Sequence, residues 1–487
     1  MERRSFLRNF TFAGALVAVP AVSTLAKTPK VSSGINGKVH RNGKGIAHVP
    51  VTDGHNIVLT DNSGRYELQP HDDAEFVYIT LPRGYKIPEH NGIAQFYHPL
   101  QGNTTNFDFA LEPVDGDDTN HCFVVWADTQ MISKEDCEQL KRESVPDLVA
   151  LTKTYPAGTL FHGIGCGDLV WDKFDLFQDY REAVGATGVP FFNVIGNHDM
   201  DIDALGDDGS DKTFKQQFGP TYYSFNRGAI HYIVLDDVFF LGTAKKYIGH
   251  VSEAQLHWLK KDLANVAPGS TVVVSLHIPT NTGAARRNKK EEEMGGTVTN
   301  RKRLYDILKP YKVHFMSGHT HFNESWEQDN MMEHNHGTVC GAWWTGPICG
   351  DGTPSGYGVY EVTGSDIKWY YKSTGKPREH QLRLYDKGRL RSAPDEISAN
   401  VWNWDTKWKV EWFEDDVAKG EMEQRIALDP WSIELYEGPQ LPKKHKFVEP
   451  TLADHMFFAK PSATAKKITV VATDRFGVSY KEELLLN

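Results

Sequence analysis

Five short apolar segments in the middle of the chain each end in side chains that bind metals or transfer protons. The segments are FVVWAD, FHGIGCGD, FFNVIGNHD, VVVSLH and VHFMSGHTH, and their polar ends are Asp128, Asp168, Asn197-His198-Asp199, His277, and His319 with His321. Segments of this kind predict buried strands. Ligands bind beyond the carboxyl ends of the strands in open α/β sheets, so we expect these side chains to converge there. Carboxylate, amide and imidazole donors favour Mn, Fe, Zn or Co over Mg or Ca.

In order and spacing, these residues resemble the calcineurin-like metallophosphoesterases. The resemblance extends over roughly Cys122 to Tyr371 and depends on Asp128-x-Gln130, Gly167-Asp168-x-x-x-Asp172, Gly196-Asn197-His198-Asp199, His277 and Gly318-His319-Thr320-His321. Each motif alone is weak, whereas the ordered set is specific. The first motif of the family is usually Asp-x-His, and here Gln130 occupies the position of the histidine.

The resemblance implies two divalent transition-metal ions, Mn, Fe, Zn or Co, and a hydroxide shared by both metals that attacks phosphorus in line. Asp168 is the expected bridge between the metals. The other implied ligands are Asp128 and His321 for the first metal, and Asn197, His277 and His319 for the second. Gln130 offers only a neutral amide oxygen, so it either binds the first metal or supports the site without binding it.

His198 directly follows a metal ligand and is expected to face the substrate. Its imidazole, with an ordinary pKa of about 6.5, suits stabilising the transition state or protonating the leaving oxygen. Asp199 is the predicted partner that orients this imidazole. Asp172 is expected, by analogy with the family, to support the loop after Asp168.

Composition divides the chain into segments of different character. Residues 1–26 contain Arg3 and Arg4 and then an apolar stretch shorter than the about 20 residues of a membrane span, which resembles a twin-arginine export signal. Residues 33–112 and 378–487 are predicted β-sandwiches, the first similar to an immunoglobulin-like module. Residues 120–373 alternate strands and helices, and the resemblance implies an α/β (α+β) fold there, a four-layer sandwich of two mixed sheets flanked by helices.

Local signals place several elements. Ser133 with Asp136, and Ser252 with Gln255, have the spacing of helix N-terminal caps, and the second pair precedes an apolar face of leucines. Four tryptophans of the last segment are expected to be buried or paired across strands rather than to bind carbohydrate; they are Trp402, Trp404, Trp408 and Trp412.

Charge and cysteine content narrow the possible partners. The net charge of −11 makes nucleic acid an unfavourable partner, and no membrane span is expected in the mature chain. None of the five cysteines has the Cys-x-x-Cys spacing of a structural zinc site. Cys340 and Cys349 either pair in an oxidising compartment or remain buried thiols.

Further candidates lie outside the metal motifs. A glycine-rich segment after the last motif contains four further candidate residues, Trp343, Trp344, Asp351 and Tyr357. These side chains either form a wall of the substrate site or an aromatic plug between domains. Arg286 and Arg287 either bind a second phosphate or an acidic headgroup, or belong to a solvated charge run. His334 and His336 in EHNHG are expected in a solvated loop rather than in an additional metal site.

These features predict an exported, dinuclear metal-dependent phosphoesterase. Its expected substrates are phosphorylated small molecules, glycans or lipid headgroups, with organic phosphodiesters favoured by the aromatic segment and the flanking sandwiches. Two alternatives stay open because a fold does not define a function. One is a cell-envelope protein that binds sugar or lipid phosphates without turnover, and the other is a metal-dependent phosphomonoesterase or nucleotidase.

Overall fold

The computed structural model describes residues 34–243, 245–289, 292–341, 346–442 and 448–486. The predicted export signal at residues 1–26 and the candidate residues Trp343 and Trp344 lie outside these ranges. Within them, no helix combines the length and apolarity needed to cross a membrane.

The N-terminal segment consists of short strands between tight turns, as its alternating pattern predicts. The strands are β1 (Ile35–Arg41), β2 (Lys44–Gly45), β3 (Pro50–Thr52), β4 (Ile57–Leu59), β5 (Arg65–Leu68), β6 (Phe76–Ile79), β7 (Glu89–His90), β8 (Ile93–Ala94), β9 (Tyr97–Pro99) and β10 (Phe109–Ala110). One sheet has the order β10-β1-β2, with β5 also paired to β1, and the other has the order β4-β3-β6-β9. The hairpin β7-β8 instead pairs with the edge of the first sheet of the central domain. The local pattern of apolar and polar residues does not indicate this pairing.

The central segment forms two large sheets. Its strands are β11 (Asn120–Trp126), β12 (Leu160–Cys166), β13 (Phe191–Val194), β14 (Tyr223–Arg227), β15 (Ile230–Val234), β16 (Val238–Phe240), β17 (Tyr247–Gly249), β18 (Thr271–Ser275), β19 (Lys312–Ser317), β20 (Glu324–Gln328), β21 (Met331–Asn335), β22 (Gly356–Thr363) and β23 (Asp366–Ser373). The first sheet has the order β23-β22-β11-β12-β13-β8-β7, and the second β14-β15-β18-β19-β21-β20. A short hairpin, β16-β17, stands apart from both.

Helices cover the outer faces of the two sheets. They are α1 (Lys134–Gln139), α2 (Val145–Thr152), α3 (Phe177–Ala186), α4 (Lys212–Phe218), α5 (Glu253–Leu263), α6 (Ala284–Arg287) and α7 (Arg301–Leu308), with a π turn at Leu140–Ser144 and a 3-10 turn at Phe174–Leu176. The side chains of Ser133 and Ser252 cap α1 and α5 as predicted, and Ser133 forms the full capping box with Asp136.

Three apolar layers hold this domain together. Phe123 and Phe192 of the first sheet pack with Tyr232 and Met316 of the second between the sheets. A second cluster lies between the first sheet and α1 to α4, and a third between the second sheet, α5 and α7. The arrangement is therefore a four-layer sandwich, which confirms the predicted fold class.

The C-terminal segment is a second β-sandwich with one helix, α8 (Pro430–Glu437). Its strands are β24 (Arg383–Tyr385), β25 (Ile397–Asn400), β26 (Lys409–Glu414), β27 (Val417–Glu421), β28 (Glu423–Ala427), β29 (Ala453–Ala459), β30 (Lys467–Thr473) and β31 (Ser479–Leu485). The two sheets have the orders β24-β25-β29-β28 and β27-β26-β30-β31. Trp402, Trp408 and Trp412 are buried, and Trp404 is partly buried against the core that contains Trp408 and Trp412, which confirms their expected packing role.

The five cysteines are buried thiols, and no disulfide joins Cys340 to Cys349. The Sγ of Cys340 donates to the carbonyl of Thr129 at 3.4 Å, and the Sγ of Cys349 lies 3.5 Å from Thr338 Oγ1. Of the two alternatives, the structure contains the buried thiols.

Candidate metal centre

The loops that follow five strands meet at one end of the facing sheets. In the first sheet, β11, β12 and β13 run parallel and lead to Asp128, Asp168 and Asn197. In the second sheet, β18 and β19 run parallel and lead to His277 and to the segment Gly318–His321. Because the carboxyl ends of parallel strands lie at the same edge of a sheet, the folding of the two sheets brings all these side chains together.

Asp168, His277 and His319 form one donor group, whose ligand atoms all lie within 4.8 Å of one another. His277 Nε2 lies 3.3 Å from Asp168 Oδ1, 3.2 Å from Asn197 Oδ1 and 3.2 Å from His319 Nδ1. The other ring nitrogen of His277 lies 3.0 Å from the carbonyl of Cys166. Donation of the Nδ1 proton to that carbonyl leaves the Nε2 lone pair for a cation.

Asp128, Asp168 and His321 form a second donor group, also within 4.8 Å of one another. His321 Nε2 lies 3.5 Å from Asp128 Oδ1. Asp168 belongs to both groups, so its carboxylate is placed to bridge two cations. The mixture of carboxylate, amide and imidazole donors fits the transition-metal pair that the sequence predicts.

Gln130 contacts the shared carboxylate through its amide nitrogen, which donates to Asp168 Oδ2 at 2.7 Å. Its Oε1 is buried and has no hydrogen-bond partner in the part of the chain that the structure describes. A buried acceptor without a donor costs about 1–3 kcal/mol, and a nearby cation would remove that cost. Gln130 thus supports Asp168, and ligation of the first metal by Oε1 stays a prediction.

Six residues of the centre have left-handed backbone conformations that non-glycine residues rarely adopt. They are Asp128 (φ 51°), Gln130 (φ 36°), Asp168 (φ 49°), Asp172 (φ 52°), His319 (φ 69°) and His321 (φ 62°). Each such residue costs about 1–3 kcal/mol and persists only where the surrounding contacts hold it. One such contact is the amide of His319, which donates to both oxygens of Asp128, at 3.1 and 3.0 Å.

Two glycines allow the carboxylates to approach the backbone. A Cβ atom at Gly196 would lie 2.3 Å from Asp168 Oδ1, and one at Gly318 would lie 2.4 Å from Asp128 Oδ2. Both distances are too short for any side chain, so the glycines of the Gly-Asn-His-Asp and Gly-His-Thr-His motifs are required by close packing.

Burial and neighbouring charges together shift the pKa values of these groups. Burial alone would lower the pKa of His277, but the Asp168 carboxylate beside it raises this pKa to about 10. Burial opposes ionisation of Asp168, yet His277 and His198 hold its pKa well below the ordinary range. Burial and the neighbouring His277 lower the pKa of His319 to about 3. A cation among these groups would replace the proton on His277, so metal binding is expected to release protons.

Asp172, and not Asp199, is the partner of the His198 imidazole. His198 Nδ1 lies 3.1 Å from Asp172 Oδ1, and the other oxygen of Asp172 accepts from Lys245 Nζ at 2.6 Å. Burial would lower the pKa of His198, but Asp168 and Asp172 raise it. The backbone amide of His198 also donates to Asp168 Oδ1 at 2.9 Å, which ties this histidine to the shared carboxylate.

The sequence-based assignment of Asp199 as the orienting residue is therefore wrong. Its buried carboxylate accepts from the backbone amides of Gly196, Leu169 and Val170 at 2.9, 3.1 and 3.1 Å. Burial and the nearby Asp168 raise the pKa of Asp199 to about 7. Asp199 joins the loops after β12 and β13, which is the supporting role that the sequence had suggested for Asp172.

Three contributors to the site were missed from the sequence. Asp237 accepts from the amide of His277 at 3.0 Å, and it follows β15 in the same strand-end pattern that marks the metal motifs, so that pattern was an available signal. The ring of Trp171 lies 5.0 Å from that of His198, and the ring of Tyr247 lies 5.8 Å from that of His319. These two contacts depend on how the loops fold, and no local signal indicates them.

Two predicted substrate residues have structural roles instead. Tyr357 is fully buried, and its hydroxyl donates to Asp147 at 2.7 Å. Asp351 is also fully buried; its carboxylate accepts from the amide of Asn323 at 3.0 Å and lies 3.2 Å from His455 Nε2 in the C-terminal sandwich. Both side chains are enclosed by packing between elements, so they do not form a substrate wall.

The expected solvated loop around His334 and His336 is also wrong. His334 lies on β21, which pairs with β19 on one side and with β20 on the other. Both histidines are buried; His334 Nε2 lies 3.0 Å from His314 Nδ1, and His336 Nε2 lies 2.8 Å from the hydroxyl of Tyr360. Sheet pairing on both sides buries a segment whose local composition is polar.

Arg286 and Arg287 are neighbours with different surroundings. Arg287 is buried in an ion pair with Glu324, 3.3 Å from Asp454 of the C-terminal sandwich, and its guanidinium lies 4.8 Å from the centre of the Phe322 ring. Arg287 is therefore not available to a phosphate, so the predicted alternative of a second phosphate site at this residue is wrong. Arg286 is exposed on α6.

The fold and the site together define a candidate dinuclear metal centre at one end of the two facing sheets. Three family models match the chain: the N terminal of Calcineurin-like phosphoesterase at residues 33–114, Calcineurin-like phosphoesterase at residues 144–323, and the C terminal of Calcineurin-like phosphoesterase at residues 333–480. The chain belongs to the calcineurin-like phosphoesterase family.

Known proteins resemble the chain at low identity. Purple acid phosphatase 15 of Arabidopsis thaliana is 27% identical over 199 residues, which are 37% of this chain and 32% of the relative. The chain thus spans about a third of the length of that curated relative. A dimetal phosphatase from Danio rerio is 14% identical at a TM-score of 0.37, covering 52% of this chain and 96% of its own. The purple acid phosphatase PPD1 from yellow lupin (Lupinus luteus) seeds is 14% identical at 0.36, covering 67% of each chain.

Proposed function

We propose that this protein hydrolyses phosphate esters at its dinuclear centre, and that organic phosphodiesters are its substrates. The observation that carries the proposal is the position of Asp168, whose carboxylate is shared by the donor groups of Asp128 with His321 and of His277 with His319. Two divalent ions bound there would activate water and neutralise the charge that develops on the phosphoryl oxygens.

His198 supplies the proton in this proposal. Its Nδ1 is engaged with Asp172, so Nε2 is the ring atom that delivers a proton to the leaving oxygen. The contact between its backbone amide and Asp168 keeps the imidazole next to the bridging carboxylate. Its side chain retains 22% exposure, so a substrate can reach it.

Two features support a diester over a monoester. A diester carries less negative charge and has an organic group on each side of phosphorus, and a partly apolar cavity begins at His319 beside the metal ligands. Lys245 pairs with Asp172, the carboxylate that contacts His198. Its ammonium group is therefore not directed toward the additional negative charge that a monoester would carry. With a β-sandwich on each side of the catalytic domain, phosphodiesters of glycans or lipid headgroups are the proposed natural class.

The test compares bis-p-nitrophenyl phosphate with p-nitrophenyl phosphate after reconstitution with Mn, Fe, Zn or Co. We expect faster turnover of the diester, loss of turnover after chelation, and loss of turnover in Asp168→Asn. A protein that binds phosphate esters equally well with and without Asp168→Asn, and shows no metal-dependent rate, would instead be the non-catalytic binding protein. Faster turnover of the monoester or of adenosine monophosphate would replace the diester assignment with a phosphomonoesterase or nucleotidase.

We also propose export as the cellular route. Arg3 and Arg4 precede an apolar stretch that ends in small residues near Ala26, and these residues lie outside the described structure. Replacement of both arginines by lysine should retain the precursor in the cytoplasm, whereas N-terminal sequencing of the wild-type protein from the periplasmic fraction should begin close to residue 27. Equal export of the two forms would disprove this route.

A further inference from the structure

A cavity of about 250 Å³ opens beside the metal ligand His319. Small and apolar groups form much of its lining, notably the methyl groups of Ala284 and Ala285 and the ring of Phe322. Pockets for drug-sized ligands measure roughly 300–1,000 Å³, so this cavity suits a smaller group. Liquid water takes about 30 Å³ per molecule, which corresponds to a group of roughly eight non-hydrogen atoms here.

The walls of the cavity are held in place by buried charge pairs. Arg287, at the end of α6, is paired with Glu324 and lies over Phe322. The amide of Gly283, at the start of α6, donates to Glu324 Oε1 at 2.8 Å. Both ends of the helix are thus tied to the same carboxylate, so Ala284 and Ala285 form a fixed wall.

Two carboxylate side chains also belong to the lining of the cavity. Glu292 and Glu293 both line the cavity. Glu292 is paired with Arg301 at 3.1 Å and accepts from Thr297 Oγ1 at 2.9 Å, so its charge is partly neutralised. Glu293 is exposed and lines the cavity close to His319. A ligand with a second negative charge would be repelled by these carboxylates, whereas a cationic or uncharged group would not.

We infer that this cavity receives the organic group of the substrate and selects a compact group without negative charge. The inference depends on the proposed phosphoesterase function, because His319 is the link between the cavity and the metals. Binding of a second phosphate by Arg286 and Arg287 would require the opposite specificity, a preference for negative charge. Arg287 is paired with Glu324 and is not available for such binding.

Three phosphonates that differ in the charge of their tails test the charge requirement: 2-aminoethylphosphonate, propylphosphonate and 2-phosphonoethanesulfonate. A sulfonate is used because it is a weaker metal ligand than a carboxylate. Binding to the metal-loaded protein is measured by calorimetry, and inhibition of bis-p-nitrophenyl phosphate hydrolysis is measured alongside. We expect the ammonium and propyl compounds to bind at least about tenfold more tightly than the sulfonate, the size of one like-charge contact.

Variants test whether the organic groups of the three phosphonates bind in the cavity. Ala285→Phe fills part of the space and should weaken the ammonium and propyl compounds by about tenfold, a loss typical of blocking one small apolar contact. Glu293→Gln should strengthen binding of the sulfonate relative to the propyl compound, because one of the carboxylate charges that repel the sulfonate is removed. Lys302→Ala, an exposed position on α7 that does not line the cavity, should leave all three affinities unchanged.

Equal affinity for the three phosphonates, or unchanged affinities in folded, metal-loaded Ala285→Phe, would overturn the inference. If Ala285→Phe does not fold, the Glu293→Gln comparison decides, because an exposed glutamate tolerates this change. Failure of the proposed function gives a different result: no metal-dependent hydrolysis of bis-p-nitrophenyl phosphate by the wild-type protein, while calorimetry still reports whether the three tails are distinguished.

Discussion

Two His-x-His segments lie close together in the sequence but have opposite roles in the structure. His319 and His321 lie on the loop after β19, in left-handed backbone conformations and next to Asp168 and Asp128. His334 and His336 lie at the end of β21 and contact His314 and Tyr360 in the interior. The same residue pattern therefore gives metal donors in one place and packed neutral imidazoles in the other.

Carboxylates account for the difference. A carboxylate near an imidazole creates a site where a cation is favoured, because it offsets the loss of hydration. Around His334 and His336 the neighbours are aromatic rings and other imidazoles, and burial lowers the pKa of His336 to about 4. Histidine content alone thus does not identify a metal site.

The largest effect on activity should come from a substitution in the metal-binding segment that contains His319 and His321. His319→Ala removes an imidazole donor and should lower metal content and reduce kcat by about a thousandfold, since metal activation supplies several kcal/mol. His336→Phe should keep both metals and nearly all activity while it lowers stability, because Tyr360 loses its partner, a change of about 1–3 kcal/mol. Elemental analysis and kinetics distinguish the two, and metal loss in folded His336→Phe would contradict the comparison.

The next effect concerns the histidine that faces the substrate. His198→Ala should reduce kcat by about a hundredfold, as is usual for removal of a general acid. Asp172→Asn should reduce kcat by about tenfold with metal content intact, because the imidazole keeps its position but loses the charge that favours its protonated form. Asp199→Asn should mainly lower thermal stability. A larger kcat effect in Asp199→Asn than in Asp172→Asn would restore the sequence-based assignment.

Buried histidines that bind no metal should make the fold sensitive to acid. His162 is fully buried against Phe123, Phe192 and Phe225, and burial holds its pKa well below the ordinary value. Below a pH of about 6.5 the unfolded chain binds a proton that the folded state does not, so stability falls by about 1.4 kcal/mol per pH unit for this group. His162→Phe should reduce the difference in urea midpoint between pH 7 and pH 5. An unchanged difference would show that other groups dominate.

The smallest effect is expected at Lys245. This side chain is 58% exposed, and its pairing with Asp172 is therefore weak. Lys245→Ala should reduce kcat by no more than about threefold, because exposed ion pairs contribute about 0–1 kcal/mol. Steady-state kinetics at low and high salt provide the measurement. A loss as large as that in Asp172→Asn would show that Lys245 contributes more than support.

The residues of the candidate site could be predicted from the sequence, but the contacts between their side chains could not. Asp128, Asp168, His277, His319 and His321 follow strands in the sequence, and strand ends of parallel sheets must meet. The partner of His198 was not predictable, because Asp199 is adjacent in sequence whereas Asp172 is 26 residues away, and only the path of the loops decides which carboxylate reaches the ring.

By itself, the sequence determined the family, the order of the motif residues, the caps at Ser133 and Ser252 and the β character of both flanking segments, because these depend on local pattern and spacing. The tertiary structure alone decided the burial of His334, Asp351 and Tyr357, the addition of β7-β8 to the central sheet, and the cavity beside His319. Those features arise where segments distant in the chain pack against each other, and burial and hydrogen-bond partners there depend on the neighbours rather than on the local residues.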